Sequence, residues 1–209
     1  MHIDTVSERT LETLKRLMSD EKLSDFVLVG GTALALQLGH RMSSDLDLFS
    51  VKEFDKLSLA NYMASKFGFR LPVVSDITLR GFIQNLKIDL VHYENGFLYE
   101  PITLDGIRMA RIEDIAVMKL EAIANVRNRV KDYTDIAFLS EHLSLEEMLT
   151  RFKEKFGLDE MFALRSLTIF SEVKKTDEVF LMKGKFDWNK VQKRIIEMTR
   201  HPSKRFSPI

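Results

Sequence analysis

Cysteine is absent from the 209-residue chain, which excludes a disulfide framework, a thiol nucleophile and any cysteine-ligated zinc or iron–sulfur centre. No apolar run approaches the roughly 18–20 residues that a bilayer-spanning helix needs. The opening residues, MHIDTVSERT, place acidic and polar groups where a signal peptide requires a basic and then an apolar stretch. The expectation is therefore a cytoplasmic protein with no membrane partner. Only 4 prolines punctuate the chain, and neither an internal repeat nor a low-complexity segment interrupts it. An excess of one charge is lacking too, since 31 Lys and Arg balance 31 Asp and Glu. What remains is ordinary globular composition, 45% hydrophobic and 30% charged, enough for one domain or two small ones with a real core.

The charge balance is a sum of unequal parts. Residues 1–105 carry 11 basic and 15 acidic side chains, and residues 106–182 carry 12 and 14. Residues 183–209 carry 8 and 2. So basic an end can bind an anion or can simply be a solvated helix face.

Hydrophobic periodicity divides the chain. Leu11, Leu14, Leu17 and Met18 recur at helical spacing. Phe26-Val27-Leu28-Val29 reads as a buried strand stopped by Gly30-Gly31, followed by a short helix over Thr32–Leu38 that ends at Gly39. Asp45-Leu46-Asp47-Leu48-Phe49 alternates strictly, which puts both carboxylates on one strand face. A helix over Phe54–Phe67 and a hairpin of Leu79–Gln84 with Lys87–Tyr93 follow. Beyond Pro101–Leu104 no strand is expected; helices are expected over Ile112–Val130, Tyr133–His142, Leu145–Phe156, Glu160–Val173 and Asp187–Met198. The fold class is α+β, with a mixed N-terminal sheet and flanking helices over 1–105 and an all-helical region over 106–209.

Three features bear chemistry. Gly30-Gly31-Thr32 between strand and helix lets backbone N–H groups approach a phosphate at a helix N-terminus, although such glycine pairs are more often plain turns. Asp45 and Asp47, about 7 Å apart along a strand, repel one another unless a cation lies between them. They suit a Mg2+ ion that takes its other ligands from substrate phosphates, or they are two solvated acids. Asp89 in Lys87-Ile88-Asp89-Leu90-Val91 offers a third carboxylate on another alternating strand, able to complete a metal cluster or accept a proton.

Strand, Gly-Gly, short helix, Asp-x-Asp strand and a later acid together resemble the nucleotidyltransferase superfold. The strings Gly30-Gly31-Thr32-Ala33-Leu34 and Gly39-His40-Arg41-Met42-Ser43-Ser44-Asp45-Leu46-Asp47-Leu48-Phe49 resemble more specifically the AbiEii/AbiGii toxin branch. Glu113 to Ile123, with Lys119 before an alanine, and Arg127 through Lys131-Asp132-Tyr133-Thr134-Asp135-Ile136 are similar to its later motifs. The likeness spans residues 26–140.

The resemblance implies that Asp45, Asp47 and Asp89 hold one or two Mg2+ ions, with Mn2+ as a substitute, and that Asp89 completes the second site or acts as general base. It implies nucleotide contacts from Gly30, Gly31, Thr32, Arg41, Ser43, Lys119 and Asp135, with Lys119 reaching the phosphate across the cleft that the helical region completes. Read by chemistry alone, Arg41 could instead pair with Asp45 or Asp47, and Lys119 could be a snorkelling surface lysine. Asp132 and Asp135 could orient Lys119 or Arg127, or bind substrate, and Asp132 could cap a helix.

The function implied is transfer of a nucleoside monophosphate from an NTP to a macromolecular acceptor, tRNA or other RNA before a protein hydroxyl. The setting implied is that of a toxin in a toxin–antitoxin or phage-defence pair with a cognate antitoxin. A small-molecule, aminoglycoside-like nucleotidyltransferase and a non-catalytic NTP-binding module stand as alternatives. The basic end suits RNA phosphates, with Phe186 and Trp188 either stacking on bases or anchoring the last helix.

Overall fold

Alternating buried residues build the middle of a seven-stranded sheet. The structure, a computed structural model, describes residues 1–126, 129–174 and 178–209, and the chain divides into two compact units, Met1–Arg111 and Ile112–Ile209. In the first unit, β1 (Val27–Val29) is buried at every position, and β2 (Leu46–Ser50) alternates buried Leu46, Leu48 and Ser50 with half-buried Asp47 and Phe49. Helices α1 (Glu8–Met18), α2 (Gly30–Leu38) and α3 (Lys56–Phe67) accompany strands β3 (Phe69–Val74), β4 (Thr78–Ile83), β5 (Leu86–His92), β6 (Ile102–Leu104) and β7 (Ile107–Met109). The strand order is β3-β4-β5-β2-β1-β7-β6. The sheet is mixed: β2 runs parallel to β5 and β7 to β1, while β1 and β2 are antiparallel.

The expected hairpin is present, with Gln84-Asn85 turning between Ile83 and Leu86, which are register partners. The expectation of no strand beyond Leu104 fails, because β7 follows it and pairs with β1. Three residues are too few to show a period in sequence. Arg108 in β7 also locks the start of β1, donating to the carbonyls of Met18, Leu23 and Phe26 at 2.8, 2.9 and 3.1 Å.

The second unit is helical throughout its regular elements among the described residues: α4 (Ile112–Val126), α5 (Val130–Leu139), α6 (Leu145–Phe156), α7 (Glu160–Leu167) and α8 (Trp188–Arg200). Its core gathers Leu120, Tyr133, Ile136, Phe152 and Ile195, all fully buried. Trp188 meets the Tyr133 ring edge-on at 5.8 Å, so it is a core anchor and not a base-stacking platform. Ser144 and Glu147 form a capping box at the start of α6.

Several helix limits differ from expectation. α4 is described over Ile112–Val126, and α5 begins at Val130 instead of Tyr133. α7 ends at Leu167, capped by Thr168, and Phe170 beyond it packs against Tyr133 and Trp188. Asp132 lies inside α5, whose N-cap is Arg129, so it does not cap that helix. Arg127 lies outside the described residues.

Candidate active site

β1 delivers the chain to Gly30, which takes φ +70° as α2 begins. A left-handed residue is cheap only for glycine. Here a second constraint acts, because a Cβ at position 30 would collide with the Asp47 carboxylate oxygen. At Gly31 a Cβ would run into the Arg41 guanidinium and come within 3.4 Å of the Ser43 hydroxyl. The two glycines therefore let the polar side chains of the following segment lie directly against the start of α2.

Thr32 tightens the same junction. Its buried hydroxyl lies 2.9 Å from the Ser43 hydroxyl and donates to the Asp45 carbonyl at 2.5 Å. Arg41 is buried and donates to the Met42 carbonyl at 3.0 Å, and His40 beside it is buried as well. Asp45 is exposed and stands one residue before β2, while Asp47 is within it.

Asp89 enters from the neighbouring strand. β2 and β5 are parallel with Asp47 and Asp89 as register partners, and Arg80 on β4 is in turn the partner of Asp89. Side chains at register positions share a face, so the three form one cross-strand row. Arg80 forks the Asp89 carboxylate, Nε at 2.8 Å from Oδ1 and Nη2 at 3.0 Å from Oδ2, and Lys87 Nζ adds a third bond at 3.0 Å. Burial would raise the Asp89 carboxyl, but the bonds from Arg80 and Lys87 outweigh it and hold it below its ordinary value. Arg80 is correspondingly raised, by its bonds to Asp89 first and by the charge of Asp47 as a lesser cause.

The first unit thus brings together Gly30, Gly31, Thr32, Arg41, Ser43, Asp45, Asp47 and Asp89. Arg80 and Lys87 were not expected there. A two-residue turn at Gln84-Asn85 puts Arg80 opposite Asp89, and Lys87 precedes Asp89 on the same face, so counting across the hairpin is the signal that finds both.

The other expected residues belong to the second unit. Lys119 on α4 is buried, with Nζ 2.6 Å from Asp132 Oδ1 and 2.7 Å from Asp135 Oδ2. Asp132 and Asp135, three residues apart, share one face of α5. Arg129 lies 3.5 Å from the second Asp132 oxygen. Lys119 is therefore not a snorkelling surface lysine: the two aspartates hold it.

Carboxylate oxygens are the donors a hard divalent cation takes. Asp45 and Asp47, on one strand line with one of them exposed, fit one such ion that fills its shell from phosphate and water. Among the described residues no three acidic or histidine side chains stand close enough together to hold a metal. Asp89, already bonded to two cations, does not join them in this arrangement.

A mixed sheet whose first strand turns through Gly-Gly into a helix beside an acidic strand is the nucleotidyltransferase fold. The same fold is seen in a candidate nucleotidyltransferase from H. pylori, 22% identical with a TM-score of 0.59 over 94% of this chain and 96% of that one. It recurs in an antigenic nucleotidyltransferase-like protein from Paracoccidioides brasiliensis, 17% identical with a TM-score of 0.51 over 95% of this chain and 96% of that one. The protein belongs to the AbiEii nucleotidyl transferase toxin family of type IV toxin–antitoxin systems, which it matches over residues 12–69 and 52–206. It is accordingly a nucleotidyltransferase. An uncharacterized protein of Aquifex aeolicus strain VF5 is 32% identical over 176 residues, 81% of this chain and 84% of its own length.

Proposed function

We propose that the protein moves a nucleoside monophosphate from an NTP to an RNA acceptor, tRNA foremost, in a Mg2+-dependent reaction. It would act in the cytoplasm as the toxin of a pair restrained by a cognate antitoxin. The observation that carries this reading is the seating of the Asp47 carboxylate against Gly30, which brings an acidic strand to the start of a glycine-rich helix.

In the reaction an acceptor hydroxyl oxygen forms a bond to the α-phosphorus, the bond to the bridging oxygen breaks, pyrophosphate leaves and the hydroxyl proton passes to solvent or base. Backbone N–H groups at Gly30 and Gly31 and the Thr32 hydroxyl bind phosphate oxygens, with Arg41 and Ser43 fixing that segment behind them. Asp45 and Asp47 would hold Mg2+, which when bound offsets the charge of the triphosphate and of the leaving pyrophosphate. Lys119 supplies a point charge for phosphate, oriented by Asp132 and Asp135. In this reading the α/β region holds the metal and the triphosphate, and the helical region contributes Lys119 and meets the acceptor.

The basic end supports RNA as acceptor. Of its eight cations, Arg194 is buried against Ser140 and Ser207, and Arg205 is paired with Glu147. Lys183, Lys185, Lys190, Lys193, Arg200 and Lys204 are exposed, as phosphate contacts require.

The test is incubation of the purified protein with each α-labelled NTP, Mg2+ and total RNA. Transfer of label to RNA that Asp47→Ala abolishes supports the reading. Label on a small molecule or on protein, with none on RNA, overturns the acceptor.

A further inference from the structure

Asp89 is too heavily engaged to serve simply as a third metal ligand. Three N–H bonds from two cations engage both oxygens of its carboxylate, which is 9% exposed, while Arg80 is 50% and Lys87 33% exposed. A cation joining Asp89 would have to displace a bidentate guanidinium bond, among the strongest charge-assisted pairings available to a carboxylate.

We propose that Arg80, seated on Asp89, takes the place of a second metal ion, so that the chain holds one divalent cation on Asp45 and Asp47 and meets the nucleotide phosphates with the exposed side of the Arg80 guanidinium. The inference rests on the nucleotidyltransferase reading above and specifies how its phosphate charge is met. A guanidinium suits that task because it stays charged and keeps N–H donors to spare after two are spent on Asp89. The row Asp47–Asp89–Arg80 fixes its place, since each residue is the register partner of the next on adjacent strands. Asp89 is then a positioning residue: it acts through Arg80. Lys87, on the same carboxylate, keeps Asp89 ionised and aimed.

The experiment counts bound Mn2+ by electron paramagnetic resonance of the full chain with a non-hydrolysable NTP analogue, with nucleotide alone as baseline. One Mn2+ per chain is expected, and Asp89→Asn should keep that count while weakening nucleotide binding about tenfold. Arg80→Gln should weaken nucleotide binding to a similar degree, with Arg80→Lys restoring part of it. Two Mn2+ per wild-type chain, falling to one in Asp89→Asn, would overturn the inference and leave the nucleotidyltransferase reading standing. Unchanged nucleotide affinity in Arg80→Gln would also overturn it. No Mn2+ bound by the wild type, or binding indifferent to Asp45→Asn and Asp47→Asn, would overturn the metal reading and the inference together.

Discussion

The Asp47 carboxylate occupies the space in which any residue other than glycine at position 30 would carry its Cβ. The positive φ of Gly30 adds a second demand for glycine at the same place. Gly30→Ala should therefore displace Asp47 as well as strain the turn. Left-handed strain alone costs about 1–2 kcal/mol, and the loss of nucleotide binding should exceed what the stability change explains. Calorimetric nucleotide titration beside thermal melting separates the two effects.

Gly31→Ala makes a sharper probe of the same junction. The backbone there needs no special conformation, yet a Cβ would meet the Arg41 guanidinium and the Ser43 hydroxyl. Nucleotide affinity should fall with little change in melting temperature if Arg41 moves aside, and a second change, Arg41→Ala, should relieve the crowding without restoring affinity.

Lys119 bridges Asp132 and Asp135, both buried. Removing one partner from a buried ionic cluster typically costs about 3–5 kcal/mol because the remaining charge is stranded. Lys119→Met should lower stability on that scale in urea unfolding. The same holds for Lys155→Met, since Lys155 and Asp114, 2.6 Å apart, are 1% and 0% exposed. Only the Lys119 change should also abolish transfer under conditions where both variants remain folded.

Acid should weaken the start of α6. The Arg205 hydrogen bond and the Ser144 backbone N–H hold the Glu147 carboxyl down at about 2, from an ordinary 4.5. A carboxyl depressed in the folded state contributes stability that is complete above its unfolded value and lost as pH falls through the folded one. The melting difference between wild type and Glu147→Gln should be constant near neutrality and close between about pH 4.5 and 2. Added salt should shrink it at neutral pH, because Arg205 is largely exposed.

Arg108 is a test of the fold independent of chemistry. Its three bonds to the Met18, Leu23 and Phe26 carbonyls join the end of α1 to the start of β1. Arg108→Met should cost roughly 3 kcal/mol, at about 1 kcal/mol per bond, in denaturant unfolding.

Short-range patterns in the sequence carried the strand–glycine–helix junction, the acidic strand and the hairpin, because each depends on residues within one or two turns of chain. β3 leaves no such pattern, being an edge strand without alternation: it holds Pro72, and Leu71 in its middle is 74% exposed. The pairing of Lys119 with Asp132 and Asp135 depends on how α4 packs on α5, which the spacing along one helix does not specify. Arg41 is buried for a reason visible only in three dimensions, the missing side chain at Gly31. Arg80 sits between these cases, legible by counting across the two-residue turn yet silent as a motif.

The central claim is that the Asp45–Asp47 strand and the Gly30-Gly31 turn form one nucleotidyl-transfer site. Pyrophosphate release from each NTP with Mg2+ and total RNA tests it most directly, comparing wild type with Asp47→Asn at matched melting temperature. Release that depends on RNA and falls at least a hundredfold in Asp47→Asn, of the order of losing a main electrostatic contribution to catalysis, is the predicted result. Equal release by both proteins, or none from any NTP, would contradict it.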